Sequence, residues 1–137
     1  MQYQDQIEEY SRRDKLRETI KKQVISYERI HQFINELVEK TKEKHYVGVY
    51  GVPRGGLFFA MLYSYKMKIP MLQSPCKNCL VIDDDSGLGT TIAPYLRRNY
   101  DVAVMFSRKA CKEKATYIFD YYDNYDKDVF LVFPWGE

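Results

Sequence analysis

The stretch VIDDDSGLGTT, residues 81 to 91, runs from apolar residues into three adjacent aspartates and then a loop of Ser, Gly and Thr. Neighbouring carboxylates repel one another and favour keeping a proton, so a partner that is positive or rich in hydroxyls suits them. Gly87 and Gly89 permit positive φ and leave backbone N–H groups uncovered. Successive uncovered N–H groups at a helix start form an anion nest, and phosphate is a natural guest. Asp83 and Asp84, just ahead of the nest, repel a phosphate and suit hydroxyls or a divalent cation. The loop therefore fits an object with a phosphate at one end and a diol or metal further along. A ribose 5-phosphate is such an object.

A second loop, VPRGG at 52 to 56, complements the first. Gly55 and Gly56 let a ligand approach the backbone closely, and Arg54 sets a charge on a stiff turn after Pro53. A second phosphate or a pyrophosphate fits there, although RGG taken alone reads first as a helix start. The P-loop is excluded because no Gly-Lys-Ser/Thr ending follows, and the glycine spacing is not that of the dinucleotide fingerprint.

These loops need strands and helices to carry them. The first 45 residues are charged and helical in pattern, with Tyr27, Ile30, Ile34, Leu37 and Val38 at helical spacing behind a Ser26 N-cap. A weaker stripe runs through Ile7, Tyr10, Ile20 and Val24. YVGVYGV reads as a buried strand, LFFAMLYSY as a buried helix and MKIPML as a second strand. CLVIDD is apolar on both faces, as a central parallel strand is, and DVAVMFS and VFLVF (129 to 133) add two more. Thr91 can cap the helix between them, with Pro94 in its first turn. DYYDNYDKD, 120 to 128, reads as a solvated acidic turn. Strands alternating with helices predict an α/β fold, a mainly parallel twisted sheet of about five strands flanked by helices. In an open parallel sheet, ligands bind beyond the carboxyl ends of the strands, where both loops begin.

Composition bounds the function. A chain of 137 residues supports one sizeable core. A net charge of +2 gives no electrostatic argument for nucleic acid. The polar start MQYQDQIEEY is no signal peptide, and the longest apolar run, residues 57 to 62, is too short to cross a bilayer. Three cysteines form no disulfide framework, which points to a reducing cytoplasm. Cys76 and Cys79 make a CxxC, but zinc wants four ligands, and a tight turn with reduced thiols is the simpler reading. His31 and His45 invite no catalytic role.

Together these motifs resemble the type I phosphoribosyltransferase family. VIDDDSGLGTT is similar to its PRPP-binding signature and GVPRGGL to its pyrophosphate loop. VFLVFPWGE resembles the ending of the xanthine, guanine and hypoxanthine members. The resemblance covers residues 26–137 as a phosphoribosyltransferase-like domain and leaves 1–25 as an N-terminal helical extension. It implies a purine phosphoribosyltransferase of purine salvage, a magnesium-dependent transferase that moves phosphoribosyl from PRPP to a purine base and releases pyrophosphate. Asp83, Asp84 and Arg54 would be the catalytic residues, with Asp83 and Asp84 on the ribose hydroxyls and Asp84 on the magnesium side. Asp83 to Thr91, that is Asp83, Asp84, Asp85, Ser86, Gly87, Leu88, Gly89, Thr90 and Thr91, would form the PRPP loop. Pro53, Arg54, Gly55 and Gly56 would face pyrophosphate across a Pro53–Arg54 peptide that the family often holds cis. Arg108 or Lys109 would reach the base oxygen, and Trp135 or Phe130 would stack on the base. Trp135 as core filler and RKACKEK as an exposed loop are the plainer readings of those residues. The family often dimerises, so a homodimer is expected.

The chain departs from the family at three points. Gly87 replaces an acidic or small residue, Leu88 replaces a hydroxyl residue while Asp85 adds a charge, and the segment before Leu80 is too short for a hood over PRPP. The departures keep a second function open, a PRPP- or nucleotide-binding protein without efficient turnover that acts as a regulator or interaction module.

Overall fold

The fold is that of a computed structural model in which residues 4, 8, 21–86, 89–126 and 129–136 are described. The chain divides into two compact units, Tyr27–Asn124 and Met1–Ser26 with Tyr125–Glu137. The elements run β1 (Lys21–Val24), α1 (Tyr27–Thr41), β2 (Val49–Gly51), α2 (Gly56–Met67), β3 (Leu80–Asp85), α3 (Ala93–Arg97), β4 (Asp101–Ser107), β5 (Tyr117–Tyr121) and β6 (Val129–Val132).

In the larger unit β2, β3, β4 and β5 lie side by side in that order, all parallel. β3 and β4 are central, and Leu80, Val81, Ile82, Val102, Ala103, Val104, Met105 and Phe106 are fully buried. That is why both read as continuous apolar runs rather than alternating ones. α1 buries Ile30, Phe33, Ile34 and Leu37, the inward stripe of a 3.6-residue repeat. Phe33 meets Phe59 of α2 edge-on at 5.4 Å and Phe119 of β5 at 5.6 Å. Where α1 ends, the Thr41 hydroxyl donates to the Leu37 carbonyl (2.7 Å), so the buried Tyr63 hydroxyl donates to Thr41 (2.6 Å). Val52, Val81, Val102 and Val104 pack with Ile92 and Ala115 in a second cluster that Tyr95 and Leu96 flank.

Two strand assignments change. MKIPML contributes only an isolated bridge between Met71 and Val49. α2 continues to Met67, Lys68 closes it in the left-handed conformation, and Pro70 has no N–H with which to continue a ladder. Instead β5 completes the sheet, from residues that partly read as an acidic turn. Asp120 at its end is buried, accepting from Tyr121 N–H (2.8 Å) and Asn124 Nδ2 (2.8 Å) and pairing with Arg29 (3.0 Å). The turn is therefore braced rather than merely solvated.

In the smaller unit β6 does not extend the main sheet. It pairs in parallel with β1, Lys21 opposite Val129 and Val24 opposite Val132. Residues 21–24 thus form a strand where the sequence reads as helix. Ile25 N–H continues the ladder to the Val132 carbonyl at 2.7 Å. Gln4 and Glu8 are helical, while Ile7, Tyr10 and Ile20 lie outside the described residues. Among the described residues, no helix is long and apolar enough to cross a membrane.

Gly56, the first residue of α2, shows how tightly that helix sits on the sheet. A Cβ there would press on the Ile82 carbonyl oxygen and lie 3.2 Å from Asp83 Cα. Helix propensity alone favours Ala over Gly by about 1 kcal/mol. Overpacking against backbone outweighs that, so Gly56→Ala is expected to destabilise the fold by roughly 1–3 kcal/mol. Urea unfolding checks this, and a variant as stable as wild type would mean the helix can lift away freely.

Candidate active site

β3 delivers its three aspartates to the carboxyl end of the sheet, with Asp83 opposite Val104 and Asp85 opposite Phe106. Asp83 is only 5 % exposed. Burial, and then a hydrogen bond to the Asp84 carboxyl and the charge behind it, push the Asp83 carboxyl up to about 9. The Asp84 N–H donates to Asp83 Oδ1 at 2.8 Å and opposes that rise. Asp83 therefore keeps a proton at neutral pH while Asp84, less buried, faces the neighbouring loop.

That neighbour is the loop from Val52 to Gly56. Val52 N–H donates to the Ile82 carbonyl (2.9 Å), and Gly56 N–H turns back to the Val52 carbonyl (2.9 Å). The Pro53–Arg54 peptide is cis, as the family resemblance implies. Arg54 is exposed at the tip. A Cβ on Gly55 would collide with the Asp84 carboxylate. Glycine is thus required at 55 because a carboxylate packs directly on its backbone. The two loops that the sequence singles out meet at this contact.

Fewer amides of this loop are open than the sequence indicates. Ser86 N–H donates to the Phe106 carbonyl (3.0 Å), prolonging the β3–β4 ladder, and its buried hydroxyl donates to Ser107 Oγ (2.8 Å). Gly89 N–H donates to the Ser86 carbonyl at 2.6 Å. Gly89 has φ +90°, and a Cβ there would lie 2.8 Å from Cys111 Sγ. Thr90 and Thr91 are exposed, and among the described residues their amides make no internal hydrogen bond. Thr91 does not cap α3. Ile92 holds the N-cap position without a side-chain cap bond, and Pro94 sits in the first turn as expected. Gly87 and Leu88 lie outside the described residues.

Gly89, Thr90 and Arg108 share a cavity of about 490 Å³ with Arg97, Cys111 and Glu113. Arg108 stands on an exposed loop, as expected, but its side chain is held. Its guanidinium lies 5.0 Å over the Tyr122 ring, and Tyr122 stacks on Phe106 at 5.2 Å. Burial, and then the Asp85 carboxylate to which it is hydrogen-bonded, push the Tyr122 phenol up. Lys114 Nζ donates to the carbonyls of Arg108 (2.9 Å) and Lys109 (2.7 Å). Lys109 N–H donates to Asp123 Oδ1 at 2.8 Å, which holds the Asp123 carboxyl below the usual range. The Lys109 ammonium lies 5.9 Å from the Tyr121 ring centroid. Tyr122 went unnoticed in the sequence because it sits in a tyrosine- and acid-rich run with no spacing to mark it.

Phe130 and Trp135 belong to the smaller unit. Phe130 is 52 % exposed, and Trp135 stacks on Phe133 at 5.2 Å with the rings nearly parallel. The short segment that stands in the place of the family's hood is laced to the opposite end of the strands. Val47 N–H donates to the Asn78 carbonyl and Leu72 N–H to the Val49 carbonyl, both at the amino end of β2. Cys79 N–H closes the CxxC turn on the Cys76 carbonyl at 3.2 Å.

No protein-family model and no curated protein matches the sequence. Solved structures do match. A purine phosphoribosyltransferase of Pyrococcus horikoshii superposes with TM-score 0.70 at 19 % identity, over 85 % of this chain and 95 % of that one. The Helicobacter pylori xanthine-guanine-hypoxanthine phosphoribosyltransferase gives TM-score 0.70 at 18 % identity, over 84 % and 93 %. A Neisseria gonorrhoeae protein solved with bound ppGpp gives 0.59 at 19 % identity, over 85 % and 90 %. The chain has the type I phosphoribosyltransferase fold.

The buried proton on Asp83 sets a pH dependence. The unfolded chain gives up this proton near pH 4, whereas the folded one holds it to about 9. Through this group, stability is full below pH 4 and falls as pH rises towards 9. Asp83→Asn keeps the neutral shape without that penalty. The variant is expected to melt several degrees above wild type at pH 8, about 4 °C for each kcal/mol gained in a chain of this length, and to show no advantage near pH 4. Calorimetry at the two pH values checks this, and equal melting temperatures at pH 8 would rule out a buried protonated Asp83.

Proposed function

We propose that the chain is a purine phosphoribosyltransferase that uses PRPP and magnesium. The observation that carries this reading is the packing of the Asp84 carboxylate against the bare backbone of Gly55. It brings a diol- and cation-seeking acid pair to the edge of a loop suited to pyrophosphate, and PRPP has those groups on adjacent carbons. In this reading Asp83 and Asp84 hold the ribose hydroxyls, the Thr90 and Thr91 amides take the 5-phosphate, and Arg54 faces pyrophosphate. Arg108, fixed over Tyr122, donates to a base oxygen.

The donor set fits magnesium in one way only. Among the described residues no cluster of three or more side chains could hold a metal. Magnesium typically takes one or two carboxylates and completes its shell with substrate oxygens and water, and Asp84 beside the loop suits that role. When bound, magnesium neutralises charge on the leaving pyrophosphate. The C1–oxygen bond to pyrophosphate breaks with its electron pair leaving on oxygen, a purine ring nitrogen bonds to C1, and the proton of that nitrogen passes to solvent, since Gly87 offers no carboxylate. Arg54 stabilises the departing charge, an electrostatic contribution that is largest in a water-poor site.

A second reading, binding of PRPP or a nucleotide with little turnover, is favoured by the hood segment being tied to the far end of the sheet. The resemblance to a protein with bound ppGpp is compatible with it. Incubation with PRPP, magnesium and xanthine, guanine, hypoxanthine or adenine separates the two. Nucleotide formation at about 1–10³ per second supports the enzyme. A thermal shift by PRPP and magnesium without nucleotide supports the binder, and neither response would sink both.

Arg54→Ala is expected to lower kcat by about 10²–10³-fold and to weaken pyrophosphate more than ribose 5-phosphate. Equal losses for the two ligands, measured by calorimetry, would remove Arg54 from the leaving-group side. If wild-type turnover is slow, Gly87→Asp is expected to speed it, since a missing general base typically lowers rates by about 10²–10⁴-fold. No gain in that variant would place the deficit elsewhere.

A further inference from the structure

The CxxC of residues 76–79 plays no part in the site described above, yet its geometry is specific. Cys79 N–H donates to the Cys76 carbonyl at 3.2 Å, so the four residues form a hydrogen-bonded β-turn. Asn78, third in the turn, has φ +65°, the positive value that a type II turn requires at that place and that Asn tolerates. Neighbouring backbone anchors the turn. The Asn78 carbonyl accepts from Val47 N–H at 2.9 Å, and Asn78 Nδ2 donates to the His45 carbonyl at 3.3 Å. Leu80 N–H, next after Cys79, donates to the Gly48 carbonyl at 3.1 Å. The first and last Cα atoms of a β-turn lie less than about 7 Å apart, and a disulfide spans about 4.4–6.8 Å between Cα atoms. Both cysteines are free thiols, and the two thiols are hydrogen-bonded to one another.

We propose that Cys76 and Cys79 are a thiol–disulfide exchange site that takes a low-molecular-weight disulfide as its oxidant and closes to a reversible Cys76–Cys79 bond. The two sulfurs differ in the way such an exchange needs. Cys76 is exposed and can meet the incoming disulfide, whereas Cys79 is 2 % exposed. Burial pushes the Cys79 thiol up, which keeps it inert toward reagents in solution. Cys76 loses its proton, and its sulfur attacks one sulfur of the small disulfide, expelling one small thiolate. Cys79 then gives up its proton as its sulfur attacks the Cys76 sulfur, expelling the second. The cysteine pair loses two electrons. The small disulfide gains them and takes up both protons, leaving as two thiols. Because the turn is already closed, the new bond needs little movement of the backbone. Cys111 is no rival: it is buried and donates to the Glu113 carbonyl at 3.1 Å. The inference rests on the turn alone and holds whatever the acid loop binds.

Oxidised glutathione added to the full, folded chain tests it, with free thiols counted in denaturant after an acid quench and the products mapped by peptide mass. The expected result is a fall from three free thiols to one, with the bond mapped to Cys76 and Cys79 and circular dichroism unchanged. Dithiothreitol is then expected to restore all three. Cys79→Ser is expected to stop at a mixed disulfide on Cys76, and Cys76→Ser to keep both of its remaining thiols. A wild type that keeps three thiols overturns the proposal, as does one that stops at the mixed disulfide, bonds Cys111 instead or unfolds on oxidation. Should Cys79→Ser fail to fold, the wild-type map and the exposed-site variant decide: Cys76→Ser losing thiols as fast as wild type overturns the exchange, and Cys76→Ser keeping them supports it.

Discussion

Removing a carboxylate from water costs several kcal/mol unless it is paired or neutralised, and this chain does so at the end of its most buried strand. Asp83 continues the run Leu80, Val81 and Ile82 directly into a position that is 5 % exposed. It settles there as the acid, bonded to Asp84. Around that point everything else is close-packed. The start of α2 touches the Ile82 carbonyl, and Gly55 leaves room for Asp84 and nothing more. Groups held at such expense to stability are usually kept for function.

Much of this could be read from residue order, because the strongest signals are local. The apolar run before Asp83 is buried on both faces, the spacing of Ile30, Ile34 and Leu37 is an inward helical stripe, and VPRGG ends a strand as expected. The failures are non-local. KKQV at 21–24 has no strand character of its own and becomes a strand by pairing with residues more than a hundred positions away. β5 was obscured by Asp120, whose charge is met by Arg29 from α1. The amides of Ser86 and Gly89 looked open to phosphate, but a parallel neighbour and a tight turn take them. Sequence spacing shows which groups could bind, and only the fold shows which are already bonded.

The carboxyl end of the sheet is stiffened by its own loops. Loops after β4 and β5 are cross-linked by Lys114 to the Arg108 and Lys109 carbonyls and by Lys109 N–H to Asp123. Tyr122 joins Arg108, Phe106 and Asp85 in one stack. Such cross-links hold a guanidinium in place before any ligand arrives, so less ordering is lost on binding. A moving hood achieves something different, the exclusion of water during reaction. The residues in the hood's place are bonded at the amino end of β2, several residues along the strand from Asp84.

Helix α2 links the two halves of this picture. Its inner stripe fixes Gly56 against β3, and the loop ahead of it carries Arg54 and Gly55. Leu57 N–H donates to the Arg54 carbonyl at 3.2 Å, so the first turn of the helix and the tip of the loop form one hydrogen-bonded piece. Interiors packed this closely transmit displacement rather than absorb it. The spacing of the Arg54 loop from the acid pair is thus set by how the start of α2 seats on β3.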